Sequence, residues 1–320
     1  MNKSTSILSA NSIELHYWFD DDSHSMDAVI RNSCEREFLA MIKTFSEELN
    51  IQIKVDVEAK EEGGIIEWYN FITSSDGVKL YSLGTFVLQI IQIFLTRKSK
   101  LDKEEQRLKI ELLKIQIENA RNEAKQKNIE ISDITDKKLI ELIDDNIKLK
   151  KQRSNFYQKL EKETKVETIE VTIAESKDNI ICTEGVQRKD FSLYILESNE
   201  LDPIDIEDAV IEIISPVLKK GKDKWTGIYN GEKIMFTMHS NEFKTLVQIG
   251  DVVFKNGASI NCYMQIKKEI DNEGNIRIKS YDVIRVNSHF INDKPVETPE
   301  GKRNRQNKEA ERMQMKIDFN

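Results

Sequence analysis

The spacing of apolar residues changes once along this chain, near residue 165, and that change constrains its fold most. From about 100 to 163 apolar positions recur every three or four residues, the period of a helix. From about 165 they alternate, the period of a strand with one buried face. One chain therefore has to house long helices and a sheet-rich region in succession, an α+β organisation.

The helical stretch divides in two, about 100–128 and 136–163, with Asp133 and Thr135 as helix-start candidates between them. In the first, Ile110, Leu113, Ile117, Ala120 and Ala124 make one seam, and Leu101, Leu108, Leu112 and Ile115 make another. A helix with two seams can touch two partners. In the second, Leu139, Leu142, Leu149, Phe156 and Leu160 make a similar seam. The economical expectation is an antiparallel helical hairpin; a coiled-coil dimer is the alternative.

Upstream, IELHYWF at 13–19 reads as a strand, then Asp20, Asp21 and Asp22 form an acidic turn. Ser25 or Asp27 can cap a helix running to about Leu49, and Ile51, Ile53, Val55 and Val57 share one face of a second strand. This suggests a small β-α-β unit over 1–75. The segment from Val78 to Leu95 is the most apolar in the chain, but Lys79, Gln89 and Gln92 interrupt it. Its stripe of Leu80, Leu83, Val87, Ile90 and Phe94 is expected to bury against another helix or a second copy rather than to span a bilayer.

Downstream, VETIEVTI, FSLYIL, IEIIS, WTGIY, EKIMFTM, ASINCYMQI and NIRIKSYDVIRV read as strands. Asn230-Gly231 and Asn256-Gly257 are tight-turn signals, and Asp271–Gly274 a longer turn. An antiparallel β-barrel or sandwich follows for 165–292, with a short helix near 240–247. Residues 293–320 read as a basic polar tail. The helical region takes 76–164.

The chain has 320 residues and a net charge of −8. A uniformly nucleic-acid-coating surface is thereby excluded, while a local basic patch is not. Cys34, Cys182 and Cys262 are odd in number and far apart, which fits buried reduced thiols better than a disulfide framework or a zinc ribbon. With no signal-peptide pattern, a cytoplasmic location is expected.

No GxGxxG after a strand, Walker A loop, HExxH or GxSxG occurs. The chain is accordingly read as leaning away from an enzyme, with no cofactor and no resident metal. Three groups of residues still carry chemistry. Asp20 and Asp22 end one strand and Glu58 and Lys60 the next; carboxylates so placed can hold Mg²⁺ while the lysine steadies a phosphate. Glu58-Ala59-Lys60 resembles the Glu-x-Lys pattern of restriction-endonuclease-like nucleases, which implies metal-dependent cleavage. Lys219, Lys220, Lys222 and Lys224, with Trp225, can hold a phosphate backbone and stack a base, and Lys302, Arg303, Arg305 and Lys308 repeat the theme in the tail; the alternative for Trp225 is a core position, since large aromatics are commonly buried. Finally, DDSHSMDAVIRNSCEREFL with VEAKEEGGIIEW resembles the opening of an uncharacterised bacterial family, and implies a place in phage-defence or other conflict loci. The leading expectation is a non-enzymatic assembly or regulatory subunit that self-associates or grips a protein partner through its helices. A nucleic-acid-binding module and a metal-dependent nuclease are the alternatives.

Overall fold

The computed structural model describes residues 12–21, 25–50, 52–57, 65–75, 78–79, 81–97, 103–126, 138, 141–176, 179–217, 223–255, 257–291 and 294–317. They form two compact units: Met1–Ser198 with Asn272–Gly274, and Asn199–Asp271 with Asn275–Asn320.

The first unit is built on a sheet of β1 (Ser12–Phe19), β2 (Gln52–Val57), β3 (Ile65–Ser75), β4 (Val78–Lys79), β5 (Val166–Ser176) and β6 (Asn179–Gln187). Its order is β2-β3-β1-β5-β6, all antiparallel, with β4 on β3. Ile13, Leu15 and Tyr17 of β1 and Ile169, Val171 and Ile173 of β5 turn to the core. α1 (Ala28–Leu49) starts where Asp27 accepts from the amides of Val29 and Ile30, and ends with Asn50 in the left-handed region. α2 (Tyr81–Thr96) lies on the sheet, with α3 (Lys103–Gln126) following and α4 (Ile147–Leu160) packed on α1.

Several expectations meet the structure here. The strands flanking α1 are not neighbours, because β3 lies between them, and the sheet is completed by β5 from residue 166 onward. Residues 164 and 165 both lie within this unit. Among the described residues α3 and α4 do not pair as a hairpin: α3 lays Leu113, Ile117, Ala120 and Ala124 on α2, and α4 takes α1. The most apolar helix of the chain claims the seam that α4 was expected to cover. The first four residues of FSLYIL belong to a 3₁₀ helix, Arg188–Tyr194, whose buried Phe191 and Tyr194 are three apart as such a turn requires.

Gln92, buried within α2, has a partner that makes it compatible with burial. Gln92 donates to the carbonyl of Val171 at 2.7 Å. The last carbonyls of the helix are capped from outside: Arg153 Nη1 donates to Phe94 O at 2.8 Å, Tyr157 to Leu95 O at 2.8 Å and Tyr194 to Thr96 O at 2.6 Å. Those orphan acceptors would otherwise sit unsatisfied in the core. Among the described residues no helix is long and apolar enough to cross a membrane.

The second unit contains a closed five-stranded barrel. Its strands are β7 (Glu200–Ser215), β8 (Trp225–Tyr229), β9 (Glu232–Met238), β10 (Ser259–Ile270) and β11 (Ile276–Ile291). They run β10-β7-β8-β9-β11, and a β10–β11 pairing closes the ring. β9 and β11 are parallel, the one departure from the antiparallel expectation. The chain leaves β9 through α5 (Asn241–Ile249), and the β10–β11 hairpin brings it back in the same direction. β12 (Lys294–Glu297) pairs with β11 and leads into α6 (Pro299–Ile317), so most of the expected tail is helix.

Candidate nucleic-acid interface

The barrel's interior is set by alternation. Ala209, Ile211 and Ile213 of β7, Ile234, Phe236 and Met238 of β9, and Ile260, Cys262 and Met264 of β10 point inward. Phe243 and Val247 of α5 join the same core. Gly227 in β8 is needed for closure. A Cβ there would lie 2.6 Å from both Glu212 O and Ile211 Cγ2, so only glycine lets β7 come this close. β8 and β9 are joined by Asn230 (φ 50°) and Gly231 (φ 81°), both left-handed as a two-residue hairpin turn requires.

Trp225 sits inside this barrel at 1% exposure, with Phe236, Phe243 and Phe254 around it at centroid distances of 6.1, 6.2 and 5.7 Å. It is a core residue and has no face to offer a base. Lys224, one position earlier, is exposed. Lys219, Lys220 and Lys222 lie outside the described residues, in the connection between β7 and β8.

Three basic residues of α6 are exposed but answered locally. Arg303 bonds Glu242, Arg305 reaches Glu297 at 2.9 Å and Glu309 at 3.2 Å, and Lys308 reaches Glu207 at 2.9 Å. Lys302 is exposed beside them. A phosphate backbone would have to compete with carboxylates already in place.

The outer face of β7–β9 was not singled out in the sequence. Val210 and Ile214 of β7 and Met235 of β9 are exposed on it, Met235 at 59%, and Ile228 of β8 is half-buried between them. Met235 pairs with Thr226, and Lys233 with Ile228. The signal was present as apolar residues on the outward phase of IEIIS and EKIMFTM, which reading for alternation passes over. In sequence the lysines fall between the end of β7 and the start of β8.

Asp282, on β11, is a buried carboxylate. Burial pushes it up, but Lys267 at 2.7 Å and His239 at 3.5 Å more than offset this and hold it below the usual aspartate range. His289 has a buried Nδ1 without a partner, and desolvation lowers its pKa.

In the first unit, Asp20 is exposed, and its backbone amide donates to Lys165 O at 2.9 Å. Asp22, Glu58 and Lys60 lie outside the described residues. Among those described, no group of three His, Cys, Asp or Glu side chains could hold a metal ion. Of the apolar stripe, Val87, Ile90 and Phe94 are buried in the unit's own core; Leu80 and the side chain of Leu83 lie outside the described residues. Cys34 and Cys262 are buried, which pushes both thiols up to about 12 and leaves them poor nucleophiles. Glu67, which the sequence reading did not pick out, is a buried carboxylate held by Arg31 Nε at 2.5 Å and Tyr69 Oη at 2.7 Å. It has the pairing that a charge needs inside a core.

No protein-family model, curated protein or solved structure matches this chain.

The strand order has a meaning of its own. Numbered within the barrel, β7 to β11 run 1-2-3-5-4 and close back on 1, with a helix between the third and fourth strands. This is the Greek-key arrangement of the OB-type barrel.

Proposed function

We propose that this chain is a binding subunit whose barrel takes single-stranded nucleic acid across the outer face of β7–β9. The carrying observation is the position of the lysine-rich connection. It joins the first two strands of an OB-type barrel, and barrels of this type bind oligonucleotides through the face of their second and third strands and the adjoining loops. Lys219, Lys220, Lys222 and Lys224 supply positive charge there, and Ile228 and Met235 supply apolar surface against which bases can lie. The charges of α6 contribute little, since Glu207, Glu242, Glu297 and Glu309 already engage them.

The test is titration of a fluorescent single-stranded oligonucleotide at low salt. Changing the four lysines to Glu is expected to abolish binding with an unchanged melting temperature. Binding that survives this change would rule out the loop.

A second reading, assembly through the helical region, is favoured by α3. Its inner seam is occupied by α2, while Leu108, Leu112 and Ile115 remain exposed on the other side, Leu108 at 55%. The surface for such a contact is this outer seam, not the buried stripe of α2. Light scattering of Leu108→Asp/Ile115→Asp protein against the parent tests it: a lower mass is expected, and a monomeric parent would end the self-association version.

A further inference from the structure

We propose that the outward face of β1 and β5 in the first unit docks an arginine-bearing segment of a protein partner. Alternation along β1 sends Ile13, Leu15 and Tyr17 inward and leaves Glu14, His16 and Trp18 on the opposite face. Trp18 is 47% exposed, unusual for so large an apolar ring. One face of its indole is taken by His16, stacked at a centroid distance of 4.0 Å and 20° between planes. Its Nε1–H donates to Glu170 Oε2 at 2.8 Å, which fixes the ring against β5. The indole is thus held by its edge and one face, and its second face is the part offered outward.

Charge names the occupant. Glu170 pairs with His16 in the strand register, Glu14 contacts His16 at 3.4 Å, and the exposed Asp20 and Asp21 follow within three residues of Trp18. Lys165 answers Asp21 at 3.3 Å. A phosphate backbone is repelled by such a surface, whereas a cation is drawn to it. Among side-chain cations the guanidinium fits both features at once: its plane stacks on an indole face, and its fork of N–H donors matches a carboxylate. The bond to Trp18 uses Oε2 of Glu170 and leaves Oε1 to accept from the ligand. Lysine, a point charge without a stacking plane, satisfies only the electrostatic half.

The experiment uses the full chain and an amidated peptide of alternating arginine and glycine, with the lysine counterpart as comparison, in isothermal titration calorimetry. The arginine peptide is expected to bind more tightly than the lysine peptide. Trp18→Ala should weaken it by roughly fivefold or more, the scale of one exposed cation–π contact with its carboxylate partner. Glu170→Gln keeps both rings and carries the test if Trp18→Ala lowers the melting temperature; it too should weaken the arginine peptide selectively. Equal affinity for the two peptides, no heat with either, or full affinity in both variants overturns the proposal. So does single-stranded oligonucleotide binding that depends on Trp18, because the face would then take bases.

Discussion

Trp225 illustrates how a residue's neighbours decide its role. A tryptophan beside four lysines can stack a base or fill a core, and three phenylalanines enclose this one within the barrel. Trp225→Ala should therefore cost about 3–5 kcal/mol of stability, as large-to-small core changes do, seen as an early melt of the barrel in far-UV circular dichroism. Gly227→Ala should cost about 1–3 kcal/mol by forcing β7 away. His289 sets a pH response. Its folded pKa lies below 6.5 because burial disfavours the charged ring, so the unfolded chain binds a proton first. Its contribution to stability is complete above about 6.5 and is lost as pH falls through the lower folded value. Denaturant midpoints should drop between pH 7 and 5, and His289→Phe should flatten that part of the profile. The sequence leaves Trp225 open between core and surface and says nothing of His289, because a residue type does not name its surroundings.

At the scale of elements, short-range signals were legible and long-range ones were not. The Asn230-Gly231 turn, the cap at Asp27 and the two strands flanking that turn are local chemistry, and each stands where the residues indicate. The partner of a helix is not local. α3 and α4 carry matching seams, but α2 is more apolar than either, and α3 packs on it. Likewise VETIEVTI is plainly a strand, while nothing within it says that it pairs with β1 about 150 residues earlier rather than with the barrel. The C-terminal end of α2 gives a direct check of the observed arrangement. Tyr157→Phe leaves the buried Leu95 carbonyl without its donor and should cost about 1–3 kcal/mol, whereas a solvent-facing α4 would tolerate the change. Of the candidate interface, the lysine loop was legible as charge; the exposed Met235 and Val210 were not, since an outward apolar residue violates the alternation used to find strands.

At the scale of the whole molecule, a chain of net charge −8 can hold a polyanion only where positive charge is concentrated and unanswered. The β7–β8 connection concentrates four lysines within six residues, whereas Arg303, Arg305 and Lys308 of α6 all have carboxylate partners. Replacing those three with Ala should change oligonucleotide affinity little, as read by fluorescence anisotropy, while the loop variant should lose it. The most direct test of the barrel's role is the salt dependence of single-stranded oligonucleotide binding by the full chain. Four lysine–phosphate contacts predict that log affinity falls against log salt with a slope of about −3, at about −0.7 per contact for a single strand. A flat dependence, or no binding at the lowest salt, would contradict the account.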